Sequence, residues 1–249
     1  MKALVEFCEK KYLYSNFISE FYNTITGISY IIVGLYWLKY FKQNHVSLKN
    51  ICYTTILIGI GTILLHATNN FYMELIDEIS MLILIYYFID FFNHKYDNDN
   101  NNKTLIFFNI LTQGLILLGI PTYIYLKKYN FFIALFTISC IVVIFNSFMI
   151  YQKIDKVINY YQIESQNNKM LKFNFSLKIK KLKFIKKLII TSILVLLIGK
   201  ILWELEQNFC IYYPRIYIFH SIWHNLTAYV IHLNIYFFYY YENIDLKIE

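Results

Sequence analysis

Three histidines lie in apolar segments of this chain, and their spacing is suited to metal binding. His220 and His224 are four residues apart, so on a helix their imidazole rings lie on one face. His66 closes a separate apolar stretch that begins at Gly59. In a membrane interior such imidazoles are costly and usually serve a function. Three imidazoles that leave one coordination position open are a typical ligand set of a catalytic zinc ion.

Two further side chains have the chemistry to act beside these histidines. Asp77 begins the next apolar segment after His66, and a carboxylate there can accept and return a proton. Thr62 precedes His66 by four residues, which places both on one face of a helix. Its hydroxyl could contact a substrate oxygen or a water molecule. The alternative is a bond to a carbonyl of its own helix, which is common for Thr in apolar helices.

Acidic residues form a second group near the start of the chain, at Glu6, Glu9 and Glu20. Glu20 begins an apolar segment, where an unpaired carboxylate is costly. Oxygen ligands from a flexible stretch and a helix suit Ca²⁺. The alternative is that these carboxylates face interfacial water and pair with Lys10 or Lys11. Residue types and spacing leave both interpretations open.

The elements that must position these side chains are apolar helices. Of the 249 residues, 58% are hydrophobic and 16% are charged, whereas a soluble domain averages about 45–50% apolar and about 25% charged residues. A membrane-spanning helix needs about 20 apolar residues. Seven stretches reach or approach this length: 18–41, 51–67, 75–94, 104–126, 130–151, 185–205 and 218–240. The sequence predicts an all-α protein, a single membrane-embedded bundle of seven transmembrane helices over residues 1–249.

The distribution of lysine predicts how this bundle is oriented. Lysines are concentrated between the fifth and sixth predicted spans, in the segment 152–184. The positive-inside rule places this basic loop and the C-terminus in the cytosol. The N-terminal stretch 1–17 then lies in the lumen of the endoplasmic reticulum or Golgi. The net charge of +7 comes largely from the basic loop, which indicates attraction to anionic lipid rather than to nucleic acid.

In this topology the three histidines and Asp77 lie on the same side of the membrane at similar depth. The motifs together resemble the alkaline ceramidase family, seven-span membrane amidases of a wider superfamily that includes adiponectin-type receptors. The matching stretches are 7–12, 18–24, 59–81, 202–210 and 220–233. Residues from about 93 to 200 match only in hydropathy.

The resemblance implies hydrolysis of the amide bond of a ceramide-type lipid within the bilayer, giving a sphingoid base and a fatty acid. It implies that His66, His220 and His224 hold Zn²⁺ and that Asp77 transfers the proton. Thr62 stands where the family usually has a serine, and it keeps the hydroxyl that would stabilise an oxyanion.

The resemblance also implies a Ca²⁺ site at the N-terminus. The five residues that map onto that site are Glu6, Phe7, Glu9, Lys11 and Glu20. Phe7 and Lys11 can offer calcium only their backbone carbonyls, and Lys11 brings a positive charge where the family has an asparagine.

A disulfide between Cys8 and Cys210 is a further expectation from the resemblance. The predicted topology agrees, since both cysteines then lie on the non-cytosolic side, where an oxidising lumen permits the bond. Two unpaired cysteines are the alternative.

Two other functional classes compete with the amidase. The first is a receptor-like seven-span protein that binds a lipid without significant amidase activity, and fold-level kinship alone does not separate the two. The second is a transporter, which is less favoured because no paired broken helices are visible in the sequence.

Overall fold

The computed structural model describes residues 1–41, 46–96, 103–167 and 172–242. These residues form helices and connecting segments without any β-strand, apart from an isolated bridge between Lys2 and Asn70. The described helices are α1 (Phe21–Thr26), α2 (Ile28–Tyr40), α3 (Val46–Thr68), α4 (Phe71–Tyr96), α5 (Lys103–Leu126), α6 (Tyr129–Asn167), α7 (Lys172–Phe209) and α8 (Ile218–Glu242), with a short 3₁₀ helix at Pro214–Tyr217. The prediction of an all-α protein is therefore confirmed for the described residues.

The predicted spans all coincide with helices, and the first of them is divided between α1 and α2. Four helices of the described chain are long and apolar enough to cross a membrane: Val46–Thr68, Lys103–Leu126, Tyr129–Ser165 and Asn174–Phe209. Large apolar side chains such as Leu118 and Ile198 are exposed on these helices, as expected for surfaces that contact lipid. The fold is compatible with a multi-pass membrane protein, and the seven-span arrangement stays a prediction.

The segment 152–184, predicted as a basic loop, is helical wherever the structure describes it, because α6 continues to Asn167 and α7 begins at Lys172. Buried apolar residues of α6 recur every three or four positions beyond the predicted end of the span, at Ile154, Val157, Ile158 and Tyr161. They belong to the same core cluster as Ile185 of α7. Such a stripe is typical of an amphipathic helix. The polar residues between its members, such as Asp155, Lys156 and Asn159, lower the average hydropathy, which is why the segment was predicted as a loop. Residues 168–171 lie outside the described chain.

The N-terminal segment, residues 1–20, lies across the end of the bundle where α3 ends and α4 begins. Its backbone is fixed there by hydrogen bonds rather than by its own secondary structure. The N–H of Ala3 donates to the carbonyl of Asn69 at 3.1 Å, and the N–H of Glu20 donates to the carbonyl of His66 at 2.9 Å. The segment therefore covers one end of the helices that carry the candidate site.

A glycine allows α3 and α4 to approach closely beside that site. A Cβ atom added to Gly61 would lie 2.7 Å from both the Cα and the backbone nitrogen of Asp77. Small residues at such crossings let helix backbones come together in membrane proteins. Because Gly61 directly precedes Thr62, the close approach also brings the Thr62 and Asp77 side chains toward each other.

Replacement of this glycine should loosen the helix pair. Gly61→Ala is expected to lower the free energy of unfolding by about 1–3 kcal/mol, the usual cost of overpacking a core, as measured by thermal unfolding in detergent. Gly114→Ala is the matched control, because an added Cβ there meets nothing within 4 Å and alanine favours helix. Equal melting temperatures of the two variants would contradict this account of Gly61.

Candidate metal and catalytic site

Helices α3 and α8 bring three histidines together beneath the N-terminal segment. His66 lies in the last turn of α3, and His220 and His224 lie in the first two turns of α8. One ligand nitrogen from each residue lies within 4.8 Å of the others, and all three side chains are buried. In the part of the chain that the structure describes, no other trio of His, Cys, Asp or Glu comes together in this way. The cluster that the sequence predicted is present and could bind a metal.

The hydrogen bonds of the rings fit metal binding. Nδ1 of His66 lies 2.6 Å from Oε2 of Glu20, and Nδ1 of His224 lies 2.9 Å from Oγ1 of Thr26. Nε2 of His66 is buried without any hydrogen-bond partner. A buried imidazole nitrogen left in that state is costly, and a metal ion held by the cluster would satisfy it.

Thr62 and Asp77 form a buried pair next to the histidines. The hydroxyl Oγ1 of Thr62 donates a hydrogen bond to Oδ1 of Asp77 at 2.6 Å. Both residues line the same small cavity as His220 and His224. The sequence predicted that these residues would be neighbours, but it did not predict that the Thr62 hydroxyl bonds to Asp77 rather than to a carbonyl of its own helix.

This polar cavity adjoins a larger apolar cavity that extends into the bundle. The two cavities share Tyr30, Ile58, Met81 and Trp223 in their walls. The apolar cavity continues between helices α4, α6 and α8, where Phe88, Phe136, Val143 and Ile231 are among the side chains that line it. A polar group and an attached hydrocarbon chain would therefore find matching surroundings side by side.

Phe7 closes the polar cavity from the side of the N-terminal segment. Its ring centroid lies 4.7 Å from that of His66 and 4.3 Å from that of His220. The sequence had suggested only a backbone role for Phe7, in the calcium site. In the structure its side chain also covers two of the three histidines.

Buried polar neighbours of the site were missed at the level of sequence. They include Thr26 on His224, Glu74 with the amides of Leu4 and Val5, and Glu206 with the amide of Cys8. A carboxylate in an apolar segment signals a function or a buried partner, so Glu74 and Glu206 carried a detectable signal. Their partners lie in distant segments and carried none.

Two of the predicted calcium residues, Glu6 and Glu9, already have other partners. The Glu6 side chain is exposed, and its carboxylate bonds to the ammonium of Lys2. Both oxygens of Glu9 accept backbone N–H groups, from Tyr22 at 2.7 Å and from Asn23 at 2.9 Å. Ca²⁺ takes six to eight oxygen ligands, so a calcium ion here would share these carboxylates with the donors that they already bond.

Lysine charges also lie close to the acidic residues of the N-terminal segment. A hydrogen bond from Lys2, followed by the charges of Lys2 and Lys11, lowers the pKa of Glu6. Burial raises the pKa of Glu9 against the opposing effect of its backbone hydrogen bonds. Nζ of Lys11 and Oε1 of Glu20 are both buried without a hydrogen-bond partner. Calcium binding stays a prediction from the resemblance.

The sulfur atoms of Cys8 and Cys210 lie at disulfide distance, 2.12 Å apart. This contact ties the N-terminal segment to the end of α7, as the resemblance and the predicted topology suggested. The thiols of Cys52 and Cys140 are not paired.

Fold and site together define a class: an all-helical, membrane-compatible protein with a buried three-histidine cluster beside an aspartate and an apolar cavity. The Ceramidase family model matches residues 1–248 of the chain. The protein belongs to this family.

Related proteins match parts of the chain. It is 34% identical over 98 residues to "Alkaline ceramidase" of Arabidopsis thaliana, which covers 35% of this chain and 36% of that protein. It is 31% identical over 85 residues to "Alkaline ceramidase 1" of Homo sapiens, which covers 32% of each chain. It is 24% identical over 152 residues to "Alkaline ceramidase YPC1" of Saccharomyces cerevisiae, and this match covers 57% of this chain and 48% of the yeast protein. The matches span about a third of the plant and human relatives, and they do not favour the receptor-like alternative.

The placement of Lys11 yields a test of calcium binding. Millimolar Ca²⁺ should raise the melting temperature of the unaltered protein above its value in calcium-free buffer, because the ion would offset the repulsion between the acidic residues. Lys11→Asn, which removes a positive charge from the predicted site, should enlarge this rise, whereas Lys10→Asn, at an exposed neighbouring lysine, should not. An unchanged melting temperature of the unaltered protein would show that the lysine replaces the ion.

Proposed function

We propose that this protein is a zinc-dependent amidase that hydrolyses ceramide-type lipids to a sphingoid base and a fatty acid. The observation that carries the proposal is one buried site that combines three convergent histidines with the hydrogen-bonded pair of Thr62 and Asp77. Membership in the Ceramidase family and the names of the relatives support the choice of substrate.

His66, His220 and His224 would hold the zinc ion. Three imidazoles with one open position are the ligand set of many catalytic zinc sites, and the unpartnered Nε2 of His66 supports this assignment. Zinc in such a site polarises a carbonyl oxygen and lowers the pKa of a bound water molecule to about 7.

Asp77 would transfer the proton and Thr62 would stabilise the oxyanion. Asp77 takes the proton of the attacking water and returns it to the nitrogen of the leaving amine. In the resting arrangement the Thr62 hydroxyl donates to Oδ1 of Asp77. Once Asp77 carries the proton, that carboxyl attracts the hydroxyl less strongly. The hydroxyl can then donate to the oxyanion that develops on the former amide carbonyl.

The surroundings of the pair support a lipid substrate. The apolar cavity that shares Tyr30 and Trp223 with the reaction site suits a hydrocarbon chain, because its walls are as apolar as the lipid tails that the chain would leave. Phe7 covers the histidines from the opposite side and keeps bulk water from the reacting groups.

We extend the proposal to the topology predicted from the sequence. Residues 1–249 would form a single domain with seven transmembrane helices in the endoplasmic reticulum or Golgi membrane. The N-terminal segment would face the lumen, which agrees with the sulfur contact of Cys8 and Cys210, and the lysine-rich parts of α6 and α7 would face the cytosol. The C-terminal residues 243–249, predicted to be cytosolic, lie outside the described chain.

Metal analysis tests the assignment of zinc. The purified protein should contain about one zinc ion per chain, and a His220→Ala, His224→Ala double variant should lose it. His94→Ala is the matched control, since His94 is exposed at the far end of α4. A folded double variant that retains full zinc would refute the ligand assignment.

Turnover of a long-chain ceramide in detergent micelles tests the role of Asp77. Asp77→Asn should retain zinc and lose about 10²–10⁴-fold in turnover, the usual contribution of a positioned acid–base group. Near-normal release of sphingoid base from this variant would mean that another group, such as the neighbouring Glu78, transfers the proton.

The role of the Thr62 hydroxyl is tested by isosteric change in the same assay. Thr62→Ser should keep most of the activity, and Thr62→Val should lose it because the hydroxyl is gone while the shape is retained. Thr68→Val, at an exposed threonine whose hydroxyl bonds to its own helix, should have no effect. If Thr62→Val is as active as the unaltered protein, the hydroxyl has no part in catalysis.

A further inference from the structure

Two buried polar atoms without hydrogen-bond partners face each other beside the histidine cluster. Oε2 of Glu206, near the end of α7, lies 3.9 Å from Nδ1 of His220 at the start of α8. Neither atom has a hydrogen-bond partner, and the two residues are only 0% and 4% exposed. An N–H···O hydrogen bond spans about 2.9 Å, so an approach of about 1 Å would satisfy both atoms at once.

The N-terminal segment holds Glu206 in this position. Its other carboxylate oxygen, Oε1, accepts the backbone N–H of Cys8 at 2.9 Å. Cys8 is held in turn by Cys210, one helical turn after Glu206, through sulfur atoms at disulfide distance. The carboxylate therefore stands between the N-terminal segment and His220, and it cannot turn away without losing its contact with Cys8.

The other two histidines of the cluster show the same pattern in completed form. Nδ1 of His66 already meets a carboxylate oxygen of Glu20, and Nδ1 of His224 meets the hydroxyl of Thr26. In each case an oxygen atom contacts Nδ1 at hydrogen-bond distance, so Nε2 is available to another partner. Histidines that bind metals usually donate their second N–H to such an oxygen, which fixes the tautomer and the direction of the ring.

We infer that Glu206 is the positioning residue of His220: its carboxylate accepts the Nδ1–H of the ring and so directs Nε2 toward the bound metal. The inference rests on the proposed zinc site. It also makes the N-terminal segment part of metal binding, because the same carboxylate holds the amide of Cys8. Loss of an outer hydrogen-bond partner typically weakens metal binding about 10- to 100-fold.

The test is the zinc affinity of the full-length protein in detergent, measured by competition with a chromophoric chelator. Glu206→Gln keeps the size of the side chain but replaces one acceptor oxygen with a donor, so it cannot accept from both Cys8 and His220. We expect zinc affinity to fall about 10- to 100-fold. Glu204→Gln, two residues earlier on α7 at an exposed glutamate paired with Lys200, should leave the affinity unchanged.

A double-mutant cycle separates positioning of His220 from a general effect on the fold. If Glu206 acts through His220, Glu206→Gln should have no further effect on zinc affinity in a His220→Ala background. It should keep its full effect in a His224→Ala background. An equal loss in both backgrounds would mean that Glu206 supports the fold rather than the ring, and would overturn the inference.

Further outcomes distinguish failure of this inference from failure of the proposed function. Full zinc affinity in Glu206→Gln would overturn the role of Glu206 and leave the zinc site intact. Absence of zinc from the unaltered protein would overturn both. If Glu206→Gln does not fold, as judged by its metal-free melting curve, Glu206→Asp replaces it in the same double-mutant cycle. It is expected to lose less affinity because it keeps a carboxylate, and again to lose none in the His220→Ala background.

Discussion

Burial of carboxylates at one end of an otherwise apolar bundle is the constraint on which the rest of this structure depends. Glu74 and Glu206 are almost completely buried, and an unpaired carboxylate in such surroundings is expensive. Backbone amides of the N-terminal segment meet this need: those of Leu4 and Val5 donate to Glu74, and that of Cys8 donates to Glu206. The N-terminal segment has little secondary structure of its own, so these amides have no other backbone acceptors among the described residues. The buried carboxylates and the N-terminal segment therefore stabilise each other.

The same mutual support fixes the side chains that could do chemistry. Hydrogen bonds in a buried site are stronger than in water because the surroundings screen them less, and the bond between Thr62 and Asp77 lies in such a site. Its length depends on the close approach of α3 and α4 that Gly61 permits. The orientation of His66 depends on Glu20, whose own backbone N–H is bonded to the carbonyl of His66. Helix packing and hydrogen bonding thus converge on one geometry.

Sequence alone predicted the helices, because hydropathy locates each apolar segment and its ends. It also predicted the histidine cluster, because residues at similar depth on neighbouring helices lie near one another. It did not predict how far α6 and α7 extend. The polar and charged residues of their amphipathic parts lower the hydropathy when it is averaged over about 20 residues. Nor could it pair Glu20 with His66, since that bond joins side chains 46 positions apart and depends on their rotamers. For the same reason it could not show that both carboxylate oxygens of Glu9 accept backbone amides.

The position of the site within the bundle accounts for the combination of polar chemistry with an apolar cavity. His66 ends its helix and His220 begins another, so the polar groups lie at helix ends. The apolar cavity reaches Asn234, ten residues beyond His224 on α8 and thus about 15 Å deeper at 1.5 Å per residue. That distance is about half of a hydrocarbon core of about 30 Å. Under the proposed function, the amide would lie at the boundary between the membrane core and the N-terminal segment. A hydrocarbon chain would extend toward the middle of the membrane, where it needs no contact with water.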